Sequence, residues 1–479
     1  MSLLTARLLV FLTSAAVLVI EILAQRLLAP YLGVSLEVFT GVIGVILAGI
    51  SLGAWLGGRA ADRGDPSRLL GPLLVTGGVA ALASPLLVDL LGPVLTGGGP
   101  MAIVLITTFG FLAPAAILSA VPPVVVKLRL ASLDHTGTVV GSFSAVGTAG
   151  AIFGTFITGF VLVAAFPTRP IIIAVGIALV VGGVALGASR QLWAGRSGLA
   201  AVGLAVGLVV FSGPCDYETA YHCAEVVEDP TRNGGRTLVL DGVRNSYVDL
   251  DDPTHLEFRY ARVMADVIAV ATPPGPLDVL SIGGGGFTFP AYLDAVRPGT
   301  DHTVLEIDAA LVDIGREDLG LGDYATVVVD DARRSLQDVP AHSVDLVIGD
   351  AFSGLSVPWH LTTIEFVQAV ADRMREDGVY LINVIDYGDL DFVRSEAATF
   401  AAVFEHGAAI APPDYLAGQG GGNFVLVGSD QPIDLAALRQ SIGERSGLEE
   451  IAGDLAAFAG DARPLRDDFA PVDQMLDRP

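Results

Sequence analysis

Residues 277–286 read LDVLSIGGGG, and residues 303–308 read TVLEID. Together they decide how the second half of this chain folds. LDVLSI is an apolar run of strand length that ends at once in four glycines. A helical pattern near 289–296 follows, and then a second strand that ends at Glu306 and Asp308. Ligands in open α/β sheets bind beyond the carboxyl ends of the strands. A turn without Cβ atoms lets a ligand approach the backbone there. Glu306 stands 20 residues beyond Gly286, where a carboxylate can accept both hydroxyls of a ribose. The glycines do not follow the GxGxxG spacing, because Thr288 and Phe289 fill the later positions. The corner therefore favours a nucleoside lacking a pyrophosphate over a dinucleotide.

Outward from this corner, strands and helices alternate. Strand-like runs lie at 325–329, 344–349, 378–385 and 423–428, with helical patterns at 309–317, 361–376 and 390–404. Such alternation predicts a doubly wound parallel sheet. Upstream, 236–241 and 246–250 read as an antiparallel pair turning at Asp241-Gly242. Residues after 430 read as an acidic helical tail.

The first half is a different object. Residues 1–213 hold 10 basic and 6 acidic side chains, whereas residues 214–479 hold 17 and 46. The whole chain is 52% hydrophobic and 16% charged, with a net charge of −25 and a mean hydropathy of +0.61. So acidic a second half repels phosphates, which argues against nucleic acid as a partner. Long apolar runs occupy 8–30, 36–58, 69–92, 101–126, 139–165, 170–188 and 198–213. A bilayer core needs about 20 apolar residues in helix, so seven spans and a lipid bilayer as partner are expected. Small residues such as Gly41, Gly44, Gly49, Gly53 and Gly57 allow close helix approach. Glu21 lies inside the first run, where a carboxyl needs a partner or a cavity. Pro114, Pro122 and Pro123 predict a kink in the fourth.

Basic residues set the topology. Arg59, Arg63 and Arg68, then Lys127 and Arg129, then Arg190 and Arg196 mark three cytoplasmic loops and a cytoplasmic N-terminus. Seven spans then place the acidic half outside. Cys215 and Cys223 stand just past the seventh run; a disulfide there would fit an oxidising exterior, and two free, reduced thiols are the alternative. A nucleotide-type cofactor argues for the cytosolic side, which stays open.

The segments LDG (240–242), LEFRY (256–260), VLSIGGGG (279–286), LEID (305–308), DDA (330–332) and IGDAF (348–352) resemble the spermidine synthases in order and spacing. The resemblance covers about residues 217–430, and the first half looks like the membrane region fused to such domains in some bacterial and archaeal proteins. It implies the following organisation: a multi-span helical membrane domain (1–213), a small β element (214–255), a Rossmann-like methyltransferase-type domain (256–430) and the tail (431–479). It also implies aminopropyl transfer from decarboxylated S-adenosylmethionine to an amine, without a metal. By the same resemblance Glu306 is the ribose-binding acid and Asp331 the acid near the adenine amino group. Asp350 helps deprotonate or orient the amine, Tyr260 walls the amine site, and Asn245 stands near the thioether. Gly283, Gly284 and Gly285 form the glycine loop, and residues 353–362 resemble the gate over the site.

Three departures fall on the amine side. Gly286 stands where the family carries Asp, Ser353 where it carries a second Asp, and Arg262 where it carries Glu. They put a diamine acceptor in doubt, and the decarboxylated donor with it. Transfer of methyl from intact S-adenosylmethionine is the alternative, as is a non-enzymatic polyamine- or nucleoside-binding transporter or sensor. His360, near the gate, is a second candidate base. No His/Cys cluster has metal-ligand spacing, and the sequence leaves self-association open.

Overall fold

The computed structural model describes residues 1–32, 36–95, 99–130, 136–188, 215–352, 356–445 and 449–476. The chain divides into two compact units, Met1–Cys223 and Ala224–Pro479.

In the first unit six helical spans are long and apolar enough to cross a membrane: Leu3–Leu32, Leu36–Arg63, Pro66–Leu95, Gly99–Arg129, Thr136–Leu162 and Thr168–Gly187. The seventh, expected at 198–213, lies outside the described residues. Lipid gives no hydrophobic drive between helices, so contact depends on close packing. Glycine supplies it at three pairings. Gly53 and Gly57 of the second span lie against the backbone of Ala116 and Ala120 in the fourth. Gly150 and Gly154 of the fifth lie against Phe11 and Ala15 of the first. Gly71 and Gly78 of the third meet Gly183 and Gly176 of the sixth, which fixes those two spans as antiparallel.

The fourth span carries a π-helical turn at Thr108–Leu112, directly before Pro114. Proline has no N–H to offer the carbonyl four residues back. The Ser84 hydroxyl takes that role, donating to the Gly110 carbonyl at 2.7 Å.

The two ends of this bundle differ. At one end Lys127 pairs with Asp62 at 2.7 Å, and Arg129 donates to the Met1 carbonyl at 3.4 Å. At the other, Arg169 makes a two-pronged pair with Asp89 at 2.6 and 3.0 Å, and Tyr31 donates to Asp89 at 3.1 Å. Thr168 N–H donates to Glu218 at 2.7 Å, and Arg26 donates to the Thr219 carbonyl. A Cys215–Cys223 disulfide closes this segment.

The second unit opens with an antiparallel meander: β1 (Cys223–Glu228), β2 (Gly235–Leu240) and β3 (Val243–Asp249). Asp241 and Gly242 turn between β2 and β3, both at positive φ. Next come α1 (Arg259–Ala271), β4 (Asp278–Ile282), α2 (Thr288–Val296), β5 (Asp301–Glu306) and α3 (Ala309–Asp318). They are followed by β6 (Ala325–Val329), β7 (Val344–Gly349), α4 (Ile364–Ala371), β8 (Met374–Asp386) and α5 (Asp391–Ala401). Last are β9 (His406–Ala411), β10 (Gly422–Ser429), α6 (Leu435–Arg445) and β11 (Glu450–Ala452). The eight-stranded sheet runs in the order β11-β9-β10-β8-β7-β4-β5-β6.

Three expectations are corrected. The sheet is mixed: β6, β5, β4, β7 and β8 are parallel, but β10, β9 and β11 join antiparallel. The helix expected over 361–376 is confined to Ile364–Ala371, because β8 already begins at Met374. Finally, the acidic helical tail expected after 430 does carry helices, but it is packed into the unit. β11 pairs with β9, and Leu438, Ile442, Leu455, Leu465 and Val472 are buried in the unit's two main apolar clusters.

A Cβ built at Gly57 would lie 2.6 Å from the Ala120 carbonyl oxygen, whereas one at Gly58 meets nothing within 4 Å. Gly57→Leu is therefore expected to lower the thermal midpoint of the detergent-solubilised protein, at a cost of roughly 1–3 kcal/mol for overpacking. Gly58→Leu should leave it unchanged. Equal midpoints for the two variants would show that this contact does not hold the bundle.

Candidate active site

Parallel registry brings three strand ends together. Ile282 aligns with Leu305 on β5 and with Gly349 on β7. The chain after β4 then turns with Gly283 at φ +90° and Gly285 at +49°. Neither position suits a side chain: a Cβ at Gly283 would lie 2.6 Å from the Asp350 carbonyl oxygen, and one at Gly285 would lie 2.7 Å from Ser246 Oγ.

Glu306 ends β5 and is only 5% exposed. Its two carboxylate oxygens accept from Gly284 N–H at 2.7 Å and Asp308 N–H at 2.9 Å. Burial pushes its carboxyl above the usual range, and these amide donors pull against that shift. The glycine corner and Glu306 are thus one constellation. Asn245 belongs to it from the other side: its Oδ1 accepts from Ser246 at 2.6 Å, and Ser246 Oγ accepts from Gly286 N–H at 2.9 Å. The Ser246 side chain also fills the space where an acid at position 286 would project.

Asp331 follows β6 and caps a short helix, accepting from Arg333 N–H at 3.0 Å and Arg334 N–H at 3.2 Å. Its second oxygen meets His360 Nε2 at 2.9 Å. His360 is thereby tied to Asp331 and has no hydrogen bond to Asp350. Arg333 and Thr363 both reach Asp467, so the C-terminal segment anchors the chain just after the gate.

Asp350 lies just past β7, directly across from Gly283. Tyr260 OH donates to its Oδ2 at 3.0 Å, and Asn383 Nδ2 donates to its Oδ1 at 3.0 Å. Asn423 donates in turn to Asn383 Oδ1 at 2.9 Å. Burial pushes the Asp350 carboxyl up to about 6, against these two donors. Both asparagines escaped the sequence reading. The signal was present in GVYLINVI (378–385), where Asn383 is the one polar side chain in a buried strand.

Arg262 does not face this carboxylate. Its guanidinium donates to the carbonyls of Leu256 and Glu257 at 3.0 and 2.8 Å, fixing the entry to α1. Ser353 lies outside the described residues.

No family model matches the chain. Curated relatives do. A polyamine aminopropyltransferase of Chromobacterium violaceum is 28% identical over 141 residues, covering 29% of this chain and 53% of that protein. Polyamine aminopropyltransferase 1 of Aquifex aeolicus is 30% identical over 190 residues, covering 37% of this chain and 60% of that one. A crystal structure of a probable spermidine synthase from Corynebacterium glutamicum superposes with TM-score 0.50 at 29% identity, covering 56% of this chain and all of that one. The chain is thus similar to polyamine aminopropyltransferases in sequence and to a probable spermidine synthase in fold. The chain spans little more than half the length of the two curated relatives, while the solved structure is covered end to end. The membrane-type unit extends beyond what these proteins share with it.

In this unit Asp350 is held by two neutral donors. Removing one destabilises its ionised form. Tyr260→Phe and Asn383→Leu should each move the Asp350 titration midpoint above about 6. Carboxyl 13C NMR on aspartate-labelled protein reads it. A midpoint that stays put in both variants would remove these residues from the site.

Proposed function

We propose that the second unit transfers an aminopropyl group from decarboxylated S-adenosylmethionine to an amine. The observation that carries this reading is the Asp350 carboxylate, held by Tyr260 and Asn383 directly across the glycine corner from Glu306. Glu306 and residues 283–285 would hold the ribose, with Asn245 beside them and Asp331 toward the base. The donor supplies a sulfonium-activated carbon. A C–N bond forms as the C–S bond breaks, the bonding pair stays on sulfur, and the amine gives up one proton. Asp350 is the group placed to take it. Its raised pKa suits a base that must pick up a proton near neutrality. The remainder of the rate comes from alignment of amine and carbon.

Purified full-length protein incubated with an amine and donor labelled in the aminopropyl group tests the reading. Label should appear in the amine. Label transfer only from a methyl-labelled intact donor would replace aminopropyl with methyl transfer. Asp350→Asn is expected to reduce turnover by about 100- to 10,000-fold while sparing nucleoside binding. Glu306→Ala should chiefly weaken nucleoside binding. Normal turnover in Asp350→Asn rejects the assignment.

We further propose that this unit works on the exterior face of the membrane. Arg59, Arg63, Arg68, Lys127 and Arg129 gather at the bundle end that carries Met1, the cytoplasmic end by the distribution of basic residues. The sixth span descends antiparallel to the third, so Gly187 stands level with Gly71 near that same end. Residues 218 and 219 bond instead to Thr168 and Arg26 at the opposite end, beside the Cys215–Cys223 disulfide. The chain leaves the first unit there. A membrane-impermeant maleimide applied to intact cells should label Asp461→Cys, and should label Gly64→Cys only after permeabilisation. The reverse pattern places the unit in the cytosol.

A further inference from the structure

Behind Tyr260, at the same end of the sheet as Asp350, lies a cavity of about 220 Å³. It is framed by α1, the end of β9 and the start of β10. One wall is the Tyr260 ring, whose hydroxyl is bound to Asp350. The facing wall is Tyr415. That ring lies against the glycine-rich turn before β10, where a Cβ at Gly422 would come within 2.8 Å of it. Val263, Ile410 and Pro412 complete an apolar interior.

The polar groups that reach this cavity are already paired with one another. Asn423 gives its amide to Asn383. Arg259, 45% exposed at its side chain, stands 3.4 Å from the carboxylate of Glu449, which is 1% exposed. Glu449 precedes β11, in the region that reads from sequence as a tail. Among the described residues that line it, the cavity presents one ion pair of opposite charges and two tyrosines. A second ammonium placed here would leave water for a carboxylate that an arginine already holds, a cost without a matching gain. An apolar or aromatic arm would lose nothing and would bury surface between the tyrosines.

We propose that the acceptor is a primary amine carrying a single charge and an apolar or aromatic arm, that this arm lies between Tyr260 and Tyr415, and that the Arg259–Glu449 pair excludes a second ammonium. This rests on the reading of Asp350 as the group that meets the reacting amine. It names an acceptor class other than a diamine.

Binding of two probes to full-length protein in detergent, with methylthioadenosine present, tests the proposal by calorimetry without requiring turnover. 2-Phenylethylamine is expected to bind at least tenfold more tightly than 1,4-diaminobutane. Arg259→Gln frees the Glu449 carboxylate and should shift that ratio at least tenfold toward the diamine. Tyr415→Ala should weaken 2-phenylethylamine at least fivefold with little change for the diamine, and does not depend on how Arg259→Gln folds. Equal or tighter binding of the diamine by the wild type overturns the proposal. So does failure to bind either amine, or an unchanged ratio in Tyr415→Ala. If the expected order holds but no aminopropyl label moves, only the assigned reaction falls.

Discussion

The second unit is organised around one close approach. The backbone at Gly283 passes so near the Asp350 carbonyl that any Cβ there would collide with it. Gly283 N–H donates to Leu305 O and Asp350 N–H donates to Ile282 O, both at 2.9 Å. These two bonds lock the ends of β4, β5 and β7 to one another. Glu306 sits one residue beyond the first bond, and Asp350 is itself the donor of the second. The relative position of the Glu306 and Asp350 carboxylates is thus a backbone property, fixed before any side chain is considered. A side chain at 283 would push both groups apart at once.

What sequence could convey follows from how local the determinants are. LDVLSI, ATVVV and VDLVIG are apolar runs bounded by polar or glycine residues, and each became a strand, the first and last buried and ATVVV a largely exposed edge. Glu306 and Asp350 stood out because they end such runs. HGAAIA (406–411) is a strand without the expected β-branched density, and its small residues gave no signal. The antiparallel insertion of β10 beside β8 is not written in either segment. It brings Asn423 to Asn383 across 40 residues of chain. Likewise, nothing local in an acidic stretch announces that Glu449 will be buried opposite Arg259. Pairings of this kind exist only once the sheet is assembled.

The two units answer different solvents with different means. In the membrane-type unit glycine removes side chains so that backbones can touch, and ion pairs lie at the span ends. In the acidic unit many carboxylates stay at the surface, where some are held by specific donors. Asp467, beside the Arg333 guanidinium, lies below the usual carboxylate range. Asp229, accepting from Thr231 and Tyr247, is drawn down to about 2.

Asp350 is the contrast that gives the site its chemistry. Its carboxylate accepts from a phenol and an amide, where that of Asp229 accepts three bonds, and its pKa moves the opposite way. The difference lies in solvent. Asp229 is at the surface, so each donor adds to hydration that is already favourable. Asp350 has lost that hydration, and two neutral donors recover only part of it. A nearby cation would restore the usual low value, but it would also make the carboxylate too weak a base to take a proton from an amine. Arg262, two residues after Tyr260, is turned to the carbonyls of residues 256 and 257. Arg259 is matched by Glu449. Both neighbouring guanidiniums are thus engaged elsewhere, and burial, only partly offset by the two neutral donors, sets the basicity of Asp350.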